Sequence, residues 1–452
     1  MIEIREFRGW WRLPGKKGEE LPGTLVVTKG EAELDLTGHF GHEILSESET
    51  EIRMSGGLAE QPRILGIDSN GKAVTSEGHV STSYSAHSAG VTLSKYRRSV
   101  TFVGKHFERG EKVEFDEISI RASDLAAWTQ VRAIETKARS RKRGGYYVWS
   151  EISDRSKRLD DIEIPLSRGE RAFIRIGTNF KGIDMFGQGS EHAELSQDTE
   201  FHLRFSRPRN LEHVFERVGD LRNFLSLAIG RPVAVLSVTG YRDNFADDHT
   251  KRPVPIEILW GIPHNPEPPE KPRQAHEMLF TLPAVSTEIS KVMRSWFAKQ
   301  RRLEPVFNLF FGLLYNSNIY SDVRFLLYAQ AVETYGYRRR RKPVKRTFRE
   351  QINDVLAICP TASRKIVGPD PEAFTKLLKV SRDFYTHYDP AKKKLAAKEV
   401  GLLLLSTQLR TLIEMALLRE LGFTHRAVDA ILARARRYEE IEHFKAQAAA
   451  ES

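Results

Sequence analysis

The chain has 452 residues, 40% of them hydrophobic and 29% charged, which is ordinary for a soluble protein of two or three domains. Its formal charge of +10 at pH 7 favours a polyanionic partner, and nucleic acid is the first candidate. Because Cys359 is the single cysteine, an intrachain disulfide is excluded. The sequence has no signal-peptide pattern and no stretch of about 18 consecutive apolar residues, the length that a membrane span needs, so we expect a soluble, cytoplasmic protein.

The region up to about residue 260 is predicted to be mainly antiparallel β structure, either a sandwich or an open barrel. Polar and apolar residues alternate there with the two-residue period of a half-buried strand. One helix beginning near Asn210 interrupts the strands, and residues 233–238 return to strand. The clearest alternating segments are 23–27, 31–36, 112–120, 171–176 and 200–205.

Five prolines from Pro263 to Pro272 separate this region from a helical one, because such a run favours an extended spacer. From about residue 286 apolar residues recur with helical period, which predicts an antiparallel bundle of four to five helices and an α+β fold overall. Gly422 is expected to end one helix and Thr424 to start the last. The predicted domains are 1–135 (N-terminal β subdomain), 136–270 (second β-rich subdomain with one helix), 271–302 (linker and lead-in helix), 303–445 (helical bundle) and 446–452 (frayed tail).

The residues best suited to catalysis are Arg382, Asp383 and His387, at the end of a helix predicted over 371–388 and stopped by Asp389-Pro390. Asp383 and His387 are four positions apart and share a helical face, so the carboxylate can fix the imidazole tautomer. Arg382 lies roughly 140° round the helix from His387. Its long side chain or a loosened last turn is needed to bring both groups to one phosphate.

These groups suffice for RNA cleavage without a metal or any other cofactor. The histidine can take the 2′-hydroxyl proton or protonate the leaving oxygen, and the arginine can stabilise charge on the phosphorane. Since one histidine cannot be base and acid at once, a dimer that shares a cleft between two copies is expected. The Arg-x4-His spacing alone, however, favours a surface arginine and a capping histidine at a helix end over a catalytic pair.

Two basic runs account for much of the positive charge, one at 137–143 and a longer connector at 338–346. Each is interpreted either as a solvated loop or as a grip on a phosphate backbone. The connector residues named as RNA contacts are Arg338, Arg339, Arg340, Arg341, Lys342, Lys345 and Arg346.

The segment Ser381-Arg-Asp-Phe-Tyr-Thr-His-Tyr388 resembles the signature of HEPN domains, and the segment 325–334 resembles the HEPN helix that carries an acidic residue, here Glu333. Segments 9–15, 21–25 and 221–232 are similar to the ApeA-like proteins of antiphage defence. The resemblance implies a HEPN-type bundle acting as a dimeric, metal-independent endoribonuclease that leaves a 2′,3′-cyclic phosphate. It also implies abortive infection, with transfer RNA as a first candidate substrate, and an N-terminal β region that senses a phage-derived trigger or restrains the nuclease.

The sequence also allows other interpretations. The bundle could be a non-catalytic scaffold or nucleic-acid-binding module, and a transcriptional regulator is disfavoured by the lack of a helix-turn-helix pattern. His39, His42 and Glu43 lack a recognised metal-ligand spacing, so no metal site is expected. Trp10 and Trp11 favour core and edge packing over base stacking.

Overall fold

The structure is a computed structural model in which α-helices and antiparallel strands account for most of the chain. It describes residues 4–28, 31–40, 44–47, 52–54, 63–78, 80–85, 91–139, 149–167, 169–181, 194–247, 250–340 and 346–450. The strands are β1 (Ile4–Arg12), β2 (Leu21–Thr28), β3 (Glu31–Thr37), β4 (Ile44–Glu47), β5 (Ile52–Met54), β6 (Arg63–Asp68), β7 (Ala73–Glu77), β8 (Val80–Ser85), β9 (Leu93–Arg98), β10 (Val100–Val103), β11 (Glu114–Ala122), β12 (Ile134–Arg139), β13 (Trp149–Asp154), β14 (Ile162–Pro165), β15 (Glu170–Lys181), β16 (Glu194–Asn210), β17 (Val235–Tyr241) and β18 (Ile256–Trp260).

Most of the α-helices lie in the second half of the chain, and among the described residues only α1 and α2 begin before it. They are α1 (Leu125–Thr129), α2 (Leu211–Ile229), α3 (Leu282–Val285), α4 (Ile289–Tyr315), α5 (Ser321–Arg338), α6 (Phe348–Leu356), α7 (Pro360–Val367), α8 (Pro371–His387), α9 (Glu399–Glu420), α10 (His425–Arg434) and α11 (Arg437–Ala450). Strands dominate the N-terminal part of the chain and helices the C-terminal part, which confirms the α+β class predicted from the sequence.

The first compact unit contains Met1–Arg121, Phe201–Glu216 and Val235–Pro263. Its main sheet runs in the order β16-β11-β17-β18-β10-β7-β6-β1-β2-β3-β9-β8, and β4 and β5 form a separate two-stranded sheet. Every strand pairing recorded for this unit is antiparallel, for example Leu34 of β3 opposite Leu25 of β2. Alternate residues of β3 are buried, as a strand with one face on a core requires.

The core of this unit includes Trp11, which is fully buried, whereas its neighbour Trp10 is 57% exposed. Successive strand residues point to opposite faces, so one tryptophan fills the core and the other lies on the surface. Gly66 accommodates the Trp11 ring, because a Cβ there would lie 2.5 Å from two of the ring atoms. The predicted role of Trp11 in core packing is therefore confirmed.

The second unit contains Ala122–Glu200, Arg217–Ala234 and His264–Ser452. It includes the hairpins β12–β13 and β14–β15 and the helical bundle. In the bundle, α5 packs against α4, α6, α8 and α9, and α9 also contacts α11. The helix α9 is long and apolar enough to cross a membrane, but 67% of its most apolar stretch is buried inside the protein, as in the core helix of a bundle.

The bundle departs from the sequence-based prediction in two places. The short helices α6 and α7 were not predicted, and the described residues from 289 onward form eight α-helices instead of four or five. A capping box between Thr347 and Glu350 starts α6, and Pro360 starts α7 at a permitted first-turn position. Helix α11 also continues to Ala450, beyond the point where fraying was expected. Gly422, at φ 98°, lies just after α9 as predicted.

Candidate active site

Helix α8 presents the predicted catalytic residues on its last two turns. Asp370 caps its start by accepting from the backbone N–H groups of Glu372 and Ala373, both at 3.0 Å. The helix ends at His387, because Tyr388 adopts the left-handed conformation at φ 50° and Pro390 follows. This end places the His387 side chain, which is exposed, at the rim of the bundle.

Arg382 lies where α5, α6 and α8 meet. Its Nη2 donates to Oε2 of Glu333 at 2.9 Å, and its guanidinium lies over the Phe348 ring, 4.6 Å from the centroid. The Arg382 side chain keeps 35% of its surface exposed, so the guanidinium is oriented from two sides but still reachable by a ligand. A cation held this way loses little freedom when it binds a phosphate.

Asp383 has a different partner from the one its spacing suggests. Its Oδ2 accepts from Lys392 Nζ at 3.2 Å. Among the described residues, none forms a hydrogen bond or ion pair with the His387 imidazole. The turn after α8 thus places the Lys392 ammonium where the spacing along the helix had predicted the His387 imidazole. The structure thus brings Glu333 to Arg382, whereas no group among the residues it describes orients His387 within the single chain.

The segment after α8 folds back against that helix. Ala397 N–H donates to Ser381 Oγ and the Tyr385 hydroxyl donates to Ala397 O, each at 2.9 Å. The Tyr388 hydroxyl donates to Oδ2 of Asp322 at the start of α5, also at 2.9 Å. That hydrogen bond to a carboxylate raises the pKa of Tyr388. The end of α8 is therefore fixed by contacts on both sides of His387.

The described part of the basic connector is tied to α6. Arg340 Nη2 and Arg346 Nη1 both donate to the Asp354 carboxylate, at 2.9–3.2 Å, and Arg339 donates to Asp354 O at 3.0 Å. Arg338 is exposed at the end of α5. These contacts bring both flanks of the connector to one carboxylate. The other predicted RNA contacts, Arg341, Lys342 and Lys345, lie outside the described residues, as does most of the run at 137–143.

Sequence reasoning missed Phe348, Asp322, Tyr388 and Lys392 as neighbours of the site. The capping box at Thr347 could have revealed α6, but the contact between its first residue and Arg382 joins positions far apart in the chain. His39 hydrogen-bonds to Tyr96 at 3.2 Å, while His42 and Glu43 fall outside the described residues. The part of the chain that the structure describes holds no group of three metal-ligating side chains.

Two family models match the chain. One, described as ApeA N-terminal domain 1, covers residues 6–296, which is more than half of the chain, and the other, described as Apea-like HEPN, covers residues 326–427. Curated proteins and solved structures give no match. Glu333, Arg382, Asp383 and His387 all lie within the second match. The chain therefore belongs to the ApeA family of antiphage defence proteins and carries an ApeA-like HEPN domain, as the sequence resemblance implied.

Proposed function

We propose that this protein is an abortive-infection effector whose HEPN domain is a metal-independent endoribonuclease. The observation that carries the proposal is the arrangement around α8: Arg382 is oriented by Glu333 and Phe348, and His387 is exposed one turn further along. HEPN domains are generally ribonucleases, and an arginine with an accessible histidine supplies the charges and the proton carrier that this reaction needs.

The proposed reaction is an attack of the 2′-oxygen on the adjacent phosphorus. One histidine accepts the 2′-hydroxyl proton as the new P–O bond forms, and Arg382 stabilises the charge on the phosphorane oxygens. The bond from phosphorus to the 5′-oxygen then breaks, and that oxygen takes a proton from a second acid. The products are a 2′,3′-cyclic phosphate and a free 5′-hydroxyl, so the step needs no water and no metal.

The second acid is proposed to be His387 of another copy, which makes the active form a homodimer joined through the helical bundle. A twofold axis near the end of α8 would bring two His387 side chains to one cleft. The connector residues 338–346 are proposed to hold RNA, with transfer RNA as the first substrate to try, in the cytoplasm. The N-terminal β region is proposed to respond to a phage-derived trigger or to restrain the nuclease.

The test is cleavage of purified transfer RNA in the presence of EDTA, together with toxicity on overexpression in bacteria. We expect the wild-type protein to cleave transfer RNA and to be toxic. His387→Ala and Arg382→Ala should lose both effects but keep the wild-type melting temperature and the dimeric state. His425→Ala and Arg426→Ala are matched controls, since both residues are exposed at the start of α10. Loss of cleavage on adding EDTA, or full cleavage by His387→Ala, would refute the mechanism.

A non-catalytic nucleic-acid-binding scaffold is the second candidate. It is favoured by one observation, the pairing of Asp383 with Lys392 instead of His387. A scaffold predicts RNA binding with a steep salt dependence, no cleavage under any trigger, and toxicity that does not depend on His387. Toxicity abolished by His387→Ala excludes the scaffold even when purified protein is inactive.

A further inference from the structure

An exposed aromatic ring lies directly after His387. Tyr388 is 59% exposed, although its ring packs edge-on against Phe384 and Tyr385, at centroid distances of 5.7 and 6.3 Å. Its hydroxyl is anchored to Asp322. The ring is thus fixed by three contacts while more than half of the residue surface faces solvent.

The backbone at this position makes a bulky residue unusual. Tyr388 has φ 50°, in the left-handed region where glycine and asparagine are common and large side chains are rare. Glycine would end α8 with less strain, and it would lack the ring. A strained conformation that is kept at the edge of a candidate active site points to a role for the side chain.

A cluster of lysines follows the ring. We define the lysine turn as Lys392, Lys393 and Lys394, which belong to or directly follow the short 3-10 helix Pro390–Lys392. Lys392 binds Asp383 and so attaches the turn to α8. Lys393 and Lys394 are exposed, and in the described part of the chain neither has an ion-pair partner.

Neither Asp389 nor Asp383 forms an ion pair with Lys393 or Lys394. Asp389 accepts the backbone N–H of Ala391 at 3.0 Å, and Asp383 is engaged by Lys392. Two exposed cations in the segment that follows an exposed aromatic ring match the chemistry of a single nucleic-acid strand, whose bases stack on rings and whose phosphates bind lysines. A twofold axis through the lysine turn itself would place lysine against lysine, so the axis proposed near His387 is expected to leave this turn at the edge of the shared cleft.

We infer that Tyr388 and the lysine turn bind an unpaired RNA nucleotide beside His387, with its base on the Tyr388 ring and the flanking phosphates on Lys393 and Lys394. This inference rests on the proposed function for the identity of the ligand as RNA. It adds that the nucleotide next to the cleaved bond is unpaired, because a base inside a helix has both faces covered by its neighbours.

The experiment measures binding of a fluorescent RNA of about eight nucleotides without secondary structure, in the non-cleaving His387→Ala background of the full chain. Tyr388→Leu should weaken binding about tenfold, whereas Tyr388→Phe, which keeps the ring, should restore most of the affinity. Trp10→Leu is the matched control, since Trp10 is equally exposed but lies in the first unit. The double change of Lys393 and Lys394 to alanine should lower the slope of log affinity against log salt by about 1.4.

The same RNA annealed to its complement should bind at least about fivefold more weakly to the His387→Ala protein, because no base face is free to stack. Tyr388→Leu binding like the parent, or a dimer that dissociates with Tyr388→Leu at unchanged RNA affinity, would overturn the inference and assign the patch to self-association. No RNA binding at low salt would overturn it as well. If wild-type protein binds RNA through Tyr388 but never cleaves it, the proposed nuclease activity is refuted and the RNA-binding role of this surface is retained.

Discussion

A buried ion cluster in the bundle gives the sharpest test of what holds the HEPN domain together. The Glu414 carboxylate in α9 accepts hydrogen bonds from two arginines. Arg437 donates through Nε at 2.6 Å and Nη2 at 3.0 Å, and Arg410 donates through Nε at 3.2 Å. The side chains of Glu414 and Arg437 are only 2% and 5% exposed. Burial alone would raise the pKa of Glu414, but the charges of Arg437 and Arg410 outweigh it and hold that pKa below its usual value.

Glu414→Gln keeps the shape of the side chain and removes its charge. One carboxylate oxygen becomes an NH2 group facing a guanidinium, so two arginines lose their central counter-ion. Removing one partner from a buried pair costs about 3–5 kcal/mol. For a domain of this size each kcal/mol corresponds to about 2–4 °C in the melting temperature, so we expect a decrease of about 10 °C.

The assay is thermal unfolding of the full chain followed by circular dichroism. Glu440→Gln is the matched control, because Glu440 lies 3.8 Å from both arginines and its side chain is 35% exposed. An exposed pair of that kind contributes about 0–1 kcal/mol, so the control should melt within a few degrees of wild type. If Glu414→Gln melts no lower than Glu440→Gln, the buried cluster does not stabilise the domain as argued.

Two further predictions follow from individual contacts. Phe348→Leu should lower kcat for RNA cleavage about fivefold with little change in KM, because the ring that orients Arg382 is lost. Phe348→Tyr keeps an aromatic ring and should retain most of the wild-type kcat. Equal kcat values for the two variants would contradict this role of Phe348. Burial alone would raise the pKa values of Glu414 and Glu420, but their arginine and lysine partners hold both below the ordinary glutamate value of 4.5. Their contribution to the free energy of unfolding is therefore complete above pH 4.5 and is lost as pH falls through the folded-state pKa values. The melting temperature should therefore decrease at pH values below about 4.5. A melting temperature that does not change in that range would refute the stabilising role of these two carboxylates.

The regular elements were largely predictable because each is encoded by residues close together in the chain. The alternation over 31–36 predicted β3, and the helical stripe and the Asp389-Pro390 stop predicted α8 to within a residue at its end. The pattern over 112–120 overlaps β11, which begins two residues later. Local periodicity and capping suffice where one face of an element must be buried.

The partners of the site residues were not predictable in the same way. Asp383 and His387 share a helical face, but Lys392 reaches Asp383 only because the turn after α8 folds back. Likewise Arg382 meets Phe348 only because α5, α6 and α8 pack together. Such contacts depend on tertiary packing, and no spacing along a single helix encodes them. The family resemblance located Glu333, whereas the geometry around it required the fold.

One consequence of the site geometry separates a shared active site from two independent ones. In the single chain His387 has no orienting partner among the described residues, and the proposed reaction needs both a base and an acid. If the cleft is shared, a heterodimer of wild-type and His387→Ala chains, isolated through two different tags, has one histidine in its single cleft and should be nearly inactive. If each chain works alone, the same heterodimer keeps about half of the wild-type rate. Wild-type chains carrying the same two tags are the control, and a heterodimer at half activity would refute the shared cleft without refuting the nuclease.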